Sequence, residues 1–93
     1  MQINTNDGPM DLQLKRYGNG NLAVLLYTLE GEPYAKLSTN VEGVEIGQYE
    51  FFVPRHNLDD DFLRSLLKTG KFEQTNKSVA INYVTMPLWV FKP

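Results

Sequence analysis

The chain contains no cysteine among its 93 residues. That excludes a disulfide framework, a thiolate nucleophile and any cysteine-ligated zinc site. Histidine occurs once, at His56, and tryptophan once, at Trp89. No stretch approaches the roughly 18 apolar residues of a membrane-spanning helix. Met1–Met10 lacks the basic start and apolar middle of a secretory signal. The expected location is therefore the cytoplasm. Phosphate-cradling glycine motifs are missing as well. Gly18-Asn19-Gly20 leads into a strand pattern rather than a helix, so it offers no helix N-terminus to an anion.

What remains suits a single domain over 1–93, with 1–9 as a flexible, polar lead-in. Apolar residues make up 42% and aromatics 12%, which is enough for one modest core and too much for a disordered chain. The net charge is −2, but it is unevenly spread. Residues 30–61 hold eight acids against two bases, and residues 62–93 hold five bases against one acid. Such asymmetry is ordinarily absorbed into solvated faces. Its sharper reading is an acidic surface over 42–61 that meets a basic partner.

Periodicity predicts an α+β fold. Met10, Leu12 and Leu14 alternate with Asp11, Gln13 and Lys15, the pattern of a half-buried strand. Leu22–Leu29 is apolar on both faces and reads as a strand covered on both sides. Pro33 opens a third strand running to Val41, and Tyr49–Val53 forms a fourth. Asn57 is the expected N-cap of one helix over about Leu58–Lys68, with Asp59–Asp61 in its first turn and Gly70 just past its end. Val79–Val84 and Leu88–Phe91 are β-rich, with a break expected at Met86-Pro87. The resulting expectation is a twisted antiparallel sheet of five or six strands, beginning as a meander, with the helix packed on one face. Its core is expected to include Leu12, Leu14, Val24, Leu26, Leu37, Phe51, Phe62, Leu66, Ile81 and Leu88.

Gly20-Asn-Leu-Ala-Val24, Glu30-Gly-Glu-Pro-Tyr-Ala-Lys-Leu-Ser-Thr-Asn40 and Met86-Pro-Leu-Trp-Val-Phe91 carry a family likeness. The first two segments resemble an N-G-x-L-A-V…G-E-P-Y-A-x-L-T-V-N pattern, and the third resembles a Y-P-L-Y/W-x-F closing segment. Both patterns are found in small proteins of unknown function from gut-bacterial plasmids, phages and conjugative elements. The likeness covers about half of the chain, and residues 42–80 depart from the pattern. It implies no catalytic residues and no cofactor. It does imply a setting, because accessory proteins of mobile elements often bind and inhibit host defence machinery such as restriction and CRISPR systems.

Catalytic constellations are not legible. His56, between Arg55 and Asn57, has no serine in a nucleophile elbow to serve. It reads as a surface or capping residue. Consecutive Asp59, Asp60 and Asp61 on a helix diverge by about 100° per residue, so they cannot converge on a cation. No metal ligands, cofactor or catalytic residues are therefore expected. Glu45, Glu50, Asp59, Asp60 and Asp61, with Tyr49 and Phe52 as aromatic anchors, form the expected partner-binding face. The expected partner is another protein, with a host defence nuclease as its most concrete form. Membrane association is not expected, and edge strands leave self-association open. The alternative is a nucleic-acid-binding module built on Lys71, Lys77, Lys92 and Trp89. The acidic balance, with a pI of about 5.2, argues against it.

Overall fold

A computed structural model describes residues 1–93. Seven strands, one 3₁₀ turn and one helix follow in the order β1 (Gln2–Thr5), β2 (Gly8–Arg16), β3 (Leu22–Tyr27), β4 (Pro33–Lys36), β5 (Glu50–Phe52), the 3₁₀ turn Arg55–Asn57, α1 (Asp60–Lys68), β6 (Phe72–Ile81) and β7 (Val84–Phe91). The α+β class is as expected. The strands do not form one sheet, however. β1–β4 make a four-stranded meander, and β5, β7 and β6, in that order, make a separate three-stranded sheet. All pairings are antiparallel.

The N-terminal segment is not a lead-in. Ile3 is buried and pairs with Met10, so 1–9 contributes a strand and a core side chain. A lone apolar residue in a polar stretch gives no period to read, and only its burial reveals the strand. Met10 and Leu12 are buried as alternation requires. Leu14, on the same face, is 38% exposed and is not a core residue.

One short segment, Leu37–Thr39, joins the sheets through two backbone hydrogen bonds. Leu37 N–H donates to Val24 O (2.9 Å), and Thr39 N–H donates to Phe52 O (2.8 Å). Between them, Ser38 is fully buried, and its Oγ accepts Val24 N–H at 2.9 Å. Tyr17 Oη lies 2.9 Å from the same Oγ. Ser38 thus takes the place of a strand neighbour where β4 leaves the first sheet.

The helix begins two residues later than its apolar stripe suggests. Residues Arg55–Asn57 are used by the 3₁₀ turn, so Asn57 is not the cap. Asp59 is, its carboxylate accepting Phe62 N–H at 3.0 Å. Gly70, with φ 77°, turns the chain out of the helix, as its position after Lys68 predicts. Phe62, Leu63 and Leu66 are buried, and they join Ile3, Met10, Leu12, Val24, Leu26, Phe51, Phe72, Trp89 and Phe91 in the main core. A smaller cluster of Val41, Phe52, Met86 and Leu88 lies on the opposite face of the three-stranded sheet, with Ile46 packed against it. The alternation Phe51/Phe52 and Leu88/Trp89 divides these residues between the two faces.

β7 runs through Met86-Pro87 without a break. Pro87 O accepts Val53 N–H at 2.9 Å, the last bond between β5 and β7. Proline has no N–H to return, and Val53 O instead accepts Arg55 N–H at 2.8 Å, closing an inverse γ-turn at Pro54 just ahead of the 3₁₀ turn. The missing donor therefore falls where β5 has already ended, a position that proline tolerates. The chain reversal lies at Asn82-Tyr83, both with positive φ (52° and 67°), the pattern of a type I′ hairpin. Residues 72–78, polar apart from Phe72, form most of β6. Thr75, Asn76 and Lys77 bulge opposite Leu88, and Thr75 Oγ1 caps Leu88 O at 2.7 Å. Ile81, at the end of this hairpin, is 37% exposed and is not a core residue. No helix is long and apolar enough to cross a membrane.

Two outcomes follow from these contacts. Ser38→Ala leaves Val24 N–H buried and unpaired, so it is expected to lower the unfolding free energy by about 1–3 kcal/mol in urea titrations. Tyr34, on β4, donates its hydroxyl to Asp7, and this bond raises the phenol pKa above its ordinary 10.0. A raised folded-state pKa stabilises the fold below the unfolded-state value and ceases to do so as pH rises through the folded-state value. Wild type is accordingly expected to exceed Tyr34→Phe in stability at neutral pH, with the difference disappearing in alkaline melts above pH 10.0.

Candidate functional site

The acidic and aromatic residues singled out in the sequence do not form one face. Phe52 is 4% exposed and belongs to the smaller core cluster, so it is not a surface anchor. Alternation places it opposite Phe51, and both faces of this sheet are covered. Tyr49 is partly exposed, its ring packed 6.3 Å from that of Phe91. Glu50 turns back to accept Gly47 N–H and closes the turn before β5. Glu45 is exposed in a loop beside Asn19, Asn21 and Ile46.

Asp59, Asp60 and Asp61 lie at the other end of β5. Glu50 pairs with Val90, whereas Asp60 shares a cleft with Pro87, three residues along β7 and so roughly 10 Å away. Asp59 is committed to the helix cap. Asp60 pairs with Arg55 at 3.4 Å, and Asp61 pairs with Arg64. The two bases offset most of this acidic run. Each pair is exposed and is worth only about 0–1 kcal/mol, so a partner can exchange it at little cost.

His56 is exposed in the 3₁₀ turn. The carboxylate in its depression, Asp60, is already paired with Arg55. No group of three or more metal-ligating side chains comes together. Of the basic residues considered for nucleic acid, Lys92 pairs with Glu73 at 3.1 Å, and Lys77 sits in the β6 bulge. Trp89, their intended stacking platform, is 2% exposed within the main core, between Phe51 and Phe72.

Two features were not legible in the sequence. The first is Tyr83. It is fully exposed at the β6–β7 hairpin tip, with left-handed backbone at φ 67°. Left-handed geometry costs a residue with a Cβ about 1–2 kcal/mol, which is why glycine usually follows asparagine in such turns. Tyr83, Val84, Thr85, Arg55, His56 and Asp60 border one shallow depression, so the hairpin end and the start of α1 share a surface. The available signal is Asn82-Tyr83 itself, which the β-rich pattern over Val79–Val84 runs through, with the break expected instead at Met86-Pro87.

The second is the Trp89 indole. Its Nε1 is buried and has no hydrogen-bond partner within the protein. Leaving a buried donor unmatched costs about 1–3 kcal/mol. Trp89 also forms part of the wall of a cleft of about 200 Å³ between α1 and the three-stranded sheet, with Arg55, Asp60, Leu63, Arg64, Leu67, Gln74 and Pro87.

Comparison with protein-family models, curated proteins and solved structures returns no match.

Tyr83→Gly relieves the backbone penalty at the hairpin tip and removes no packed side chain, although glycine adds entropy to the unfolded chain. The variant is expected to match or exceed wild type by up to about 1 kcal/mol in thermal and urea unfolding.

Proposed function

We propose that this protein is a non-enzymatic accessory factor that acts by stoichiometric binding to another protein. Its binding surface is the β6–β7 hairpin end, Ile81 and Tyr83, together with the acid-bearing start of α1, Asp60 and Asp61. The observation that carries the reading is Tyr83, a fully exposed aromatic ring held at a backbone conformation that disfavours it. Strain of this kind tends to collect where a side chain must be presented rather than packed. Tyrosine is also a frequent interface anchor, because its rigid ring supplies large contact area at low entropic cost.

Asp60 and Asp61 supply the charged rim. Their exposed pairs with Arg55 and Arg64 can be exchanged for basic groups on a partner. The likeness to mobile-element proteins suggests the partner class, a host defence nuclease whose nucleic-acid channel is basic, and a cytoplasmic place of action. A nucleic-acid platform draws no support from Trp89, which is in the core.

Affinity capture from the native host, read by mass spectrometry, tests this. Wild type is expected to retain a specific protein that Tyr83→Gly loses at least tenfold while remaining as stable. Asp60→Lys with Asp61→Lys should weaken capture further. Undiminished capture by Tyr83→Gly overturns the assignment.

A further inference from the structure

We infer that the groove between β1 and the C-terminal half of α1 takes up an extended acidic segment of a partner protein as an added strand. In a sheet ordered β1-β2-β3-β4, β1 has a neighbour on one side only. Leu12 N–H donates to Met1 O, so the hydrogen-bonded pairs of β1 with β2 are Met1/Leu12, Ile3/Met10 and Thr5/Gly8. The N–H and C=O groups of Gln2 and Asn4 therefore point away from β2, toward the place of a further strand. The other three edge strands, β4, β5 and β6, are each blunted. β4 opens with Pro33 and shifts register against β3. β5 is three residues long, and its Phe52 O is already taken by Thr39 N–H. β6 carries its bulge. β1 has no charge, no proline and an unbroken register.

What lies beside this edge selects the partner. Ser65, Lys68 and Thr69 share one face of α1 by their spacing. With Lys71 they line a groove of about 370 Å³ along Gln2, Ile3 and Asn4. The lining holds two lysines and no acid. Neither lysine is in an ion pair, since the paired acids are matched with the N-terminal amine, Arg55, Arg64 and Lys92. Asn6 N–H donates to Ser65 Oγ at 3.1 Å, which fastens α1 to the β1–β2 turn at one end of the groove. An added strand runs about 4.8 Å from β1, and every second side chain, about 7 Å apart, turns toward α1. Glutamate or aspartate at those positions meets Lys68 and Lys71. Main-chain bonds to Gln2 and Asn4 hold the segment, and the lysines choose its charge. Pairing with β1 of a second copy would crowd the lysines of both copies, so the occupant is not this chain. The groove shares no residue with the depression beneath Tyr83, so its argument does not depend on the hairpin surface.

Two short peptides blocked at both ends are titrated into the ¹⁵N-labelled protein at constant ionic strength. One alternates threonine with glutamate, the other threonine with lysine, and inorganic phosphate is the third probe. The acidic peptide is expected to bind saturably, to move the Gln2 and Asn4 amide peaks, and to slow exchange of the Asn4 amide with solvent. The lysine peptide should not bind, and phosphate should leave Asn4 exchange unchanged. Affinity for the acidic peptide should fall by about tenfold or more in Lys68→Glu/Lys71→Glu. Asn4→Pro removes an N–H that β2 does not use, a change that edge strands tolerate, and it should weaken binding comparably. Should Asn4→Pro unfold, the acidic peptide methylated on its backbone nitrogens replaces it and should bind as weakly. The inference is overturned if the acidic peptide does not bind, if the lysine peptide binds as tightly, or if binding survives these changes undiminished. It is equally overturned if phosphate slows Asn4 exchange as the peptide does, or if self-association already protects that amide before peptide is added.

Discussion

Residues Leu37–Thr39 are the joint on which the molecule depends. Leu37 bonds to the first sheet, Thr39 bonds to the second, and Ser38 is sealed between them with its hydroxyl on Val24 N–H. A buried backbone amide must find a partner. Here it finds one on the residue that carries the chain away, so the departure of β4 leaves no donor stranded. Tyr17 reaches the same hydroxyl from the β2–β3 end. The two sheets thereby meet at a fixed point, and α1 packs with both of them into one core.

A comparable economy governs the second sheet. Its central strand contains a proline, yet every consequence of the missing N–H is used. Val53 O, left without a partner on β7, takes Arg55 N–H instead, just ahead of the turn that leads into α1. That turn places Arg55 beside Asp60 and sets Asp59 to cap the helix. On the other side of β7, the β6 bulge is closed by Thr75 on Leu88 O. It also disrupts the outer edge of β6, which discourages pairing with another chain.

Against this well-satisfied background, two local departures stand close together. Tyr83 occupies a backbone conformation better suited to glycine, and Trp89 buries an indole N–H without an acceptor. Arg55 and Asp60 border the surroundings of both. Sequences that agree with their fold at every level tend to break that agreement at working sites. The end of the molecule formed by the hairpin and the start of α1 is where this chain does so. The loop with Glu45 and the turn with Glu50, at the opposite end of β5, show no comparable departure.

Much of the architecture was written in local pattern. Alternation marked β2, and an apolar run on both faces marked β3. Pro33 marked the start of β4. The leucine stripe with Asp59–Asp61 and Gly70 marked α1, because hydrophobic period and capping chemistry act over a few residues. β1 and most of β6 were invisible, since each carries a single buried residue, Ile3 or Phe72, at its centre or start and is held chiefly by the strand beside it. Met86-Pro87 misled because a proline forbids one hydrogen bond rather than a strand. Whether that bond was needed depended on where β5 ended.

The same division holds for the site. Sequence determined which residues were charged, aromatic or unable to bond, and it set out β5 and α1 but not the β6–β7 hairpin. Only the tertiary structure decided that Phe52 and Trp89 point inward, that Glu50 and Asp60 lie at opposite ends of a strand, and that Tyr83 is left outside. Charge and residue type belong to the chain itself. Burial and neighbourhood arise from contacts between distant segments, and no local pattern encodes them.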